Sequence, residues 1–191
     1  MEPVARVRGD AFVEKGLDLM TTYFTRLPSP IGPLRLVKST AGLHRLDFED
    51  RSEPNDLGWR EDKTAFSAEA RQLEEFFAGE RDRFDLELAP QGTPFQLRVW
   101  RALRDIPFGR TASYVAIARA VGAPAASRAV GGANHRNPIA IIIPCHRVIG
   151  ASGSLTGYGG GLDRKRRLLA HEARYLRRYT EMIGTPSCVS T

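Results

Sequence analysis

The chain has 191 residues, which is enough for one large domain or two small ones around a real hydrophobic core. Its 42% hydrophobic and 26% charged residues are typical of a globular protein and exclude the disordered and fibrous classes. No apolar run approaches the roughly 18 residues of a membrane span, and the first twenty residues lack the apolar stretch of a secretory signal. We therefore expect a cytoplasmic protein that is not inserted in a membrane.

The net charge of +6 conceals a strong asymmetry between the two halves of the chain. Residues 1–90 contain 13 Lys and Arg against 18 Asp and Glu, a net charge of −5. Residues 91–191 contain 15 against 4, a net charge of +11. Such a basic half favours nucleic acid as a partner. A membrane-surface patch is the weaker interpretation, because no amphipathic basic helix rich in aromatic residues accompanies the charge.

The first half is predicted to form antiparallel strands followed by a helix. Residues 34–37 and 43–48 alternate apolar and polar side chains between Pro and Gly turns, which is typical of strands. Ser67 is expected to cap a helix that ends at Gly79, and a further strand is predicted at residues 84–88.

The second half is predicted to be mostly helical. Thr93 or Pro94 opens one helix, Ser113 caps a short second one, and Pro124 opens a third that runs to about Asn134. The last two of these helices form a helix-turn-helix pattern.

An apolar, strand-like run follows at residues 139–143, and a basic helix is predicted from about Asp163 into the 170s. A change in composition and charge at residues 89–94 indicates a short linker. The predicted organisation is a flexible tail at 1–20, an N-terminal domain with linker at 21–90, a C-terminal domain at 91–175 and a tail at 176–191.

The second helix of the predicted pair is unusually poor in long side chains. Half of residues 127–134 are Ala or Gly, and Arg128 is the one side chain long enough to enter a base stack. Helices that read the major groove project several polar side chains, so this helix favours close approach to the minor groove. Tight packing of small residues inside the domain is the competing interpretation.

Cys145 is the candidate nucleophile. Its neighbour His146 could act as the base that a thiol requires, and Glu172 is the candidate carboxylate that orients the imidazole. Adjacent residues of an extended segment point to opposite faces, so a water or a turn would have to bridge thiol and imidazole. An inert buried thiol is the competing interpretation, whereas a papain-like hydrolase is disfavoured because its Cys and His lie far apart in sequence.

The remaining cysteine, Cys188, lies in a tail rich in Pro, Ser and Thr and is interpreted as an incidental thiol. The two cysteines and four histidines of the chain show none of the usual zinc-ligand spacings. We therefore expect neither a metal nor a cofactor.

The run Ile143-Pro144-Cys145-His146-Arg147-Val148 resembles the active-site signature of the O6-alkylguanine-DNA alkyltransferases, also called methylated-DNA-protein-cysteine methyltransferases. Matches in the same order extend over most of the chain. They include Ser29-Pro30-Ile31-Gly32, Thr93-Pro94-Phe95-Gln96, Ser113-Tyr114, Arg128-Ala129-Val130-Gly131, Asn137-Pro138, Thr156-Gly157-Tyr158 and His171-Glu172. The resemblance implies a bacterial stand-alone member of α+β fold. Its N-terminal domain would be an RNase H-like antiparallel sheet plus helix, and its C-terminal domain mostly helical with a winged helix-turn-helix.

The resemblance also implies roles for the residues of a catalytic site. Cys145 would accept the alkyl group, His146 would take the thiol proton through a water, and Glu172 would orient the imidazole. Asn137 would link the recognition helix to the reactive segment, and Tyr114 would promote rotation of the damaged nucleotide out of the duplex. The implied DNA- and substrate-binding residues are Arg128, Ser127, Ala129, Gly131, Val148, Tyr158 and Gly159.

The implied function is irreversible, single-use transfer of the alkyl group from O6-methylguanine, and less well from O4-methylthymine, to Cys145. The partner would be double-stranded DNA containing O6-alkylguanine, bound by a monomer that flips the base, with cooperative self-association on DNA left open. The alternative is a module that binds alkylguanine lesions without transfer. A transcription regulator ranks last, because the major-groove side chains that it would need are missing from residues 127–134.

Overall fold

The computed structural model describes residues 21–51 and 58–183. The predicted tail at 1–20 and Cys188 lie outside the described residues. Within these two ranges, none of the helices combines the length and the apolarity that crossing a bilayer requires. In the same part of the chain, no three side chains among His, Cys, Asp and Glu are grouped so that they could hold a metal ion.

The first part of the chain forms a four-stranded sheet in the order β3-β2-β1-β4. The strands are β1 (Tyr23–Leu27), β2 (Leu34–Ser39), β3 (Gly42–Phe48) and β4 (Arg60–Glu61). The pairs β1–β2 and β2–β3 are antiparallel, as predicted, and the short β4 is parallel to β1. Leu36 and Leu46 lie opposite each other on β2 and β3 and are fully buried, because alternate positions of each strand face the core.

Helix α1 (Ser67–Ala78) follows the sheet and buries Leu73 and Phe76. Gly79 ends it in the left-handed conformation with a φ of 77°, as its position predicted. The predicted cap at Ser67 is wrong. A 3-10 turn leads directly into α1, so Ser67 is the first helical residue and no side chain caps the helix.

The predicted strand at residues 84–88 is also wrong, since only an isolated backbone bridge joins Leu88 to Leu43. The side chain of Gln72 on α1 makes the backbone hydrogen bonds that a neighbouring strand would make. Its Oε1 accepts a hydrogen bond from the backbone N–H of Asp85, and its Nε2 donates to the carbonyl of Asp85, both at 2.8 Å. The segment is therefore extended but held by a helix side chain.

The second part of the chain is mostly helical, as predicted. Its elements are α2 (Pro94–Arg104), β5 (Ala112–Ser113), α3 (Tyr114–Ala120), α4 (Ser127–His135), β6 (Val148–Ile149) and α5 (Leu162–Ile183). The two-residue strands β5 and β6 pair in parallel.

Local capping explains where these helices begin. The Thr93 side chain accepts a hydrogen bond from the backbone of Gln96, and the Gln96 side chain accepts one from the backbone of Thr93, which starts α2. Ser113 caps α3 as predicted. Helix α4 begins at Ser127 and not at Pro124, because the residues between them form a turn. Helix α5 continues past residue 175, into the segment predicted as a tail.

The strand-like run predicted at residues 139–143 forms turns instead, and only its first residue pairs with a strand, at Leu46. The side chain of Asn137 bonds to the backbone at both ends of the run, at 3.1 Å and 2.8 Å. These local bonds replace a β-ladder. Ile141, inside the run, has a φ of 71°, which is rare for a β-branched residue.

One hydrophobic core joins the two parts of the molecule. Leu36 and Phe66 from the first part belong to the same buried cluster as Val99 and Leu168 from the second. The segment that carries Cys145 is packed into this shared core, which fixes its position relative to the sheet.

Candidate active site

Cys145 opens a 3-10 turn, Cys145–Arg147, beside a cavity of 650 Å³. The turn replaces the extended segment expected from the sequence. The thiol is buried, and burial raises the pKa of Cys145 to about 11. It is therefore protonated at neutral pH and needs a base before it can act as a nucleophile.

Two asparagine side chains hold this cysteine. Asn137 Nδ2 lies 3.0 Å from the Cys145 sulfur and donates to it, and Asn134 Nδ2 donates to the Cys145 carbonyl at 3.3 Å. The Asn137 contact favours the thiolate over the thiol. Asn137 was predicted as a link between the helix and the reactive segment, but its contact with the sulfur was not. The contact of Asn134 with this segment was not predicted either.

His146 lies fully buried behind the cysteine, with its Nε2 2.7 Å from Glu172 Oε1. Burial lowers the pKa of His146, and the bond to Glu172 only partly opposes this effect. The neutral ring then carries its proton on Nε2, because that atom donates to the carboxylate. No protein group among the described residues bonds to the buried Nδ1, which is therefore the basic atom of the ring.

Glu172 receives three further hydrogen bonds from two residues. Arg147 Nε lies 3.0 Å and 3.1 Å from its two carboxylate oxygens, and the backbone N–H of Gly109 donates to Oε2 at 2.8 Å. Burial alone would raise the pKa of Glu172, but the hydrogen bond from His146, the charge of Arg147 and the backbone bond from Gly109 lower it below its ordinary value. Glu172 is thus an ionised carboxylate inside the protein. No local pattern in the sequence identifies Gly109 as its partner, because the contact is made only by folding.

A glycine-rich loop forms another part of the cavity wall. Tyr158 and Gly159 line the cavity with Cys145, and burial raises the pKa of the Tyr158 hydroxyl well above its ordinary value. The carbonyl of His135, at the end of α4, would lie 3.3 Å from a Cβ at position 159. Glycine therefore lets the loop approach the end of α4 closely.

The basic run at residues 164–167 divides between the interior and the surface. Lys165 is fully buried and donates to the carbonyls of Val148 and Thr156, at 2.6 Å and 2.9 Å. Its spacing from the buried Leu168 and Glu172 is i, i+3 and i+7, which is one face of a helix. That periodicity is the sequence signal that could have identified Lys165 as an inward-facing residue.

The predicted DNA-binding residues of α4 border a second cavity, of 410 Å³. Arg128 and Ser127 line it together with Tyr114 and Gly131. The Thr156 hydroxyl lies 3.3 Å from the Tyr114 hydroxyl, so this cavity adjoins the loop of the first one. Arg128 is exposed.

The predicted site residues therefore fall into four groups. Cys145, Asn137, Tyr158 and Gly159 surround the first cavity, and His146 and Glu172 are buried behind it. The second cavity is lined by Tyr114, Ser127, Arg128 and Gly131. The remaining two residues line neither cavity: Val148 is buried and Ala129 is exposed.

Two family models match the chain. One, described as the ribonuclease-like domain of 6-O-methylguanine DNA methyltransferase, matches residues 22–90. The other, described as the DNA-binding domain of 6-O-methylguanine DNA methyltransferase, matches residues 94–174. Together they span both parts of the fold.

Individual proteins with names from the same family are also similar to this chain. A methylated-DNA–protein-cysteine methyltransferase of Mycolicibacterium paratuberculosis is 55% identical over 157 residues, which are 82% of this chain and 94% of that protein. One from Methanosarcina barkeri is 54% identical over 81% of this chain and 99% of its own length. The crystal structure of Mycobacterium tuberculosis OGT in complex with DNA is similar with a TM-score of 0.76 and 52% identity, covering 80% of this chain and 94% of that one.

Proposed function

The chain belongs to the 6-O-methylguanine DNA methyltransferase family, and on this premise we propose that it repairs O6-methylguanine in duplex DNA by direct reversal. The alkyl group moves irreversibly to Cys145, and O4-methylthymine is a poorer substrate. One observation carries the proposal. A buried thiol at a cavity wall is followed by a buried His146 that Glu172 holds through Nε2, which leaves Nδ1 free to accept a proton.

DNA is bound through α3 and α4, which act as a helix-turn-helix. The exposed Arg128 and Ala129 lie on α4, where small side chains let the helix approach the sugars and phosphates of the minor groove. Ser127 and Gly131 border the same surface. The net charge of +11 in residues 91–191 supplies the attraction to phosphate.

The damaged nucleotide leaves the duplex, because the reacting carbon cannot be reached inside the base stack. Tyr114 crowds the phosphate beside it, and Arg128 fills the space that the base vacates. The base enters the first cavity, where Tyr158 supplies an aromatic wall and Gly159 lets the backbone come close. The backbone of Val148 forms part of the floor.

The thiol proton moves to His146 Nδ1, through a bridging water. The Glu172 carboxylate stabilises the imidazolium that results, because it accepts a hydrogen bond from Nε2–H and is itself kept ionised by Arg147. The Asn137 amide donates to the sulfur and stabilises the thiolate. A thiol whose pKa is about 11 thus becomes a nucleophile only within this hydrogen-bonded group.

The Cys145 sulfur then attacks the methyl carbon, so that an S–C bond forms while the C–O6 bond breaks. The electron pair of the broken bond stays with the guanine, and the Tyr114 hydroxyl donates a hydrogen bond to the base as charge develops there. The product guanine takes up one proton and the His146 imidazolium releases the one that it took from the thiol, so the protons balance. The product is a methyl thioether, which offers water no good leaving group. Each chain therefore acts once, and because every reacting group comes from one chain, a monomer is sufficient.

A module that binds the lesion without transfer is not favoured. Such a module has no need for a buried thiol that accepts a hydrogen bond from Asn137 and lies next to an oriented base.

The proposed function is tested by following the DNA. A duplex with one O6-methylguanine is mixed with increasing amounts of protein, digested to nucleosides and separated by chromatography. We expect deoxyguanosine to replace O6-methyldeoxyguanosine in a ratio of one per chain, and Cys145→Ala to convert none while still binding the duplex. Binding without conversion by the unmodified protein, or conversion of many equivalents per chain, would contradict the proposal.

A further inference from the structure

The first part of the chain supplies no reacting group, yet both walls of the cavity beside Cys145 rest on its sheet. On one side, the backbone N–H of Leu46 in β3 donates to the carbonyl of Pro138, and the N–H of Ala140 donates to the carbonyl of Leu46, both at 2.9 Å. These two bonds fix the segment that contains the left-handed Ile141. The sheet thus holds the chain immediately before the cysteine.

On the other side, the glycine-rich loop lies against the aromatic ring of Phe48, the last residue of β3. A Cβ at Gly160 would lie 2.3 Å from this ring, so only glycine allows the approach. The rings of Phe48 and Tyr158 meet edge to face, with centroids 6.3 Å apart. Tyr158, the aromatic wall of the cavity, therefore packs against the last residue of β3.

Arg164, on the first turn of α5, joins the loop to the sheet. Its Nη1 donates to the carbonyl of Gly160 at 3.2 Å, and its guanidinium lies 4.4 Å from the centre of the Phe48 ring. The same group donates from Nε to the carbonyl of Ile31 at 2.9 Å and pairs with both carboxylate oxygens of Asp50, at 2.9 Å and 3.1 Å. One side chain thus contacts the loop, the strand end and two turns of the sheet.

The turn at residues 29–32 leaves space for the Arg164 guanidinium. Gly32 has a φ of 108°, and a Cβ there would lie 3.0 Å from Arg164 Nη2. The Ser29 side chain closes this turn by bonding to the backbone N–H of Ile31. The Ser-Pro-Ile-Gly sequence therefore presents the carbonyl of Ile31 and leaves room for a guanidinium.

We propose that Arg164 is a positioning residue for the transfer reaction: it holds residues 158–160 against the N-terminal sheet, so that the base cavity has its reactive shape before a lesion arrives. This inference rests on the proposed function. Arg164 acts through the loop, since it touches neither Cys145 nor His146. A planar guanidinium can stack on Phe48 while it donates in several directions, which an ammonium group cannot do.

The test compares two neighbouring arginines of α5. Arg164→Gln removes the contacts with the loop and the sheet. Arg167→Gln is the matched control, because Arg167 pairs with Asp163 on its own helix and, among the described residues of the sheet, donates to the carbonyl of Pro30 at a long 3.5 Å. Both variants lose one positive charge from the same helix, but only the first loses the hold on the cavity wall.

Four quantities are measured for each variant: the transfer rate constant at saturating lesion duplex, the affinity for undamaged duplex, the reaction rate with free O6-methylguanine base, and the melting temperature. For Arg164→Gln we expect a roughly tenfold or larger loss of the transfer rate constant, because displacement of a reacting group by about 1 Å costs on the order of 10²-fold. A similar loss is expected with the free base, which uses the cavity but not the DNA surface. Affinity for undamaged duplex stays unchanged, and Arg167→Gln matches the unmodified protein.

An Arg164→Gln protein that melts earlier but transfers at the unmodified rate would overturn the proposal, as would equal losses in both variants. If Arg164→Gln does not fold, Asp50→Asn takes its place in the test. This substitution removes the charge of the exposed carboxylate that pairs with Arg164 and leaves the contact between Arg164 and the loop in place. A twofold to threefold slower transfer supports positioning, and an unchanged rate overturns it. Failure of the proposed function is distinguishable, because the unmodified protein would then transfer nothing.

Discussion

Two groups of paired charges, one in the sheet and one in the helical part, differ in how deeply they are buried. In the sheet, Arg26 pairs with Glu49 where both side chains are more than a third exposed. In the helical part, Glu172 is fully buried with His146 and Arg147. Exposed pairs contribute about 0–1 kcal/mol, whereas burying charges costs several kcal/mol that partners must offset. Arg35 and Glu69 in the first part are buried as well, so what marks the helical part as the one that performs chemistry is a connected group of buried charges next to Cys145, and the sheet acts as its support.

A substitution that removes the base but keeps its hydrogen bond to Glu172 separates the chemical role of the helical part from the supporting role of the sheet. His146→Gln retains a donor for Glu172 but has no atom that can take the thiol proton. We expect the transfer rate constant at neutral pH to fall by roughly 10²–10⁴-fold, the usual contribution of a positioned general base. Rapid-quench measurement with lesion duplex gives the rate, and an unchanged circular dichroism spectrum is the control. A loss of less than about threefold would mean that His146 is structural.

The contrast between buried and exposed pairs is tested by two matched substitutions. Glu172→Gln leaves Arg147 buried without its charge partner, so we expect a loss of about 3–5 kcal/mol in the free energy of unfolding. Glu49→Gln removes one charge of an exposed pair in the sheet and should cost less than about 1 kcal/mol. Urea unfolding of both variants measures the difference. Equal losses would remove the distinction between the two parts.

Arg128→Ala separates binding of the duplex from the chemistry inside the cavity. The side chain is exposed and lies outside the Cys145 cavity, so we expect unchanged reaction with the free base. With lesion duplex, the apparent affinity should fall about tenfold, because a flipped base leaves an unstacked gap that costs a few kcal/mol unless filled. Titration with fluorescent duplex measures this. Equal losses with both substrates would place Arg128 in the base cavity.

The dependence of the rate on pH follows from the direction of one pKa shift. Burial holds the pKa of His146 below its ordinary 6.5, and the neutral ring is the active form. The rate should therefore be constant from neutral pH upward and decline only as pH falls below 6.5. The same group makes the folded state less stable in that acid range, because the unfolded chain binds the proton more readily. A midpoint above 6.5 would mean that Glu172 outweighs burial.

Most of the residues proposed to react could be recognised in the sequence because they lie in one continuous segment. Cys145, His146 and Val148 belong to a contiguous motif, and Glu172 lies on a helix whose periodicity is visible. Arg164 and Gly109 could not be predicted, since their contacts with Ile31 and Glu172 join distant parts of the chain. Only the folded chain brings such groups together.

The two strands that were predicted incorrectly share one cause. Side chains, and not strands, satisfy the backbone at both places. Gln72 bonds to the backbone of Asp85, where a strand was predicted, and Asn137 closes the apolar run before Cys145 into turns. Composition and alternation report burial correctly in both segments, but they cannot show which group accepts or donates the hydrogen bonds.

The central claim is that Cys145 receives the alkyl group. Intact-protein mass spectrometry after reaction with a duplex containing one O6-methylguanine, followed by peptide mapping, tests this directly. We expect a single added methyl on Cys145, saturating at one per active chain, and none on Cys145→Ala. A methyl on another residue, or tight lesion binding without any change in mass, would contradict it.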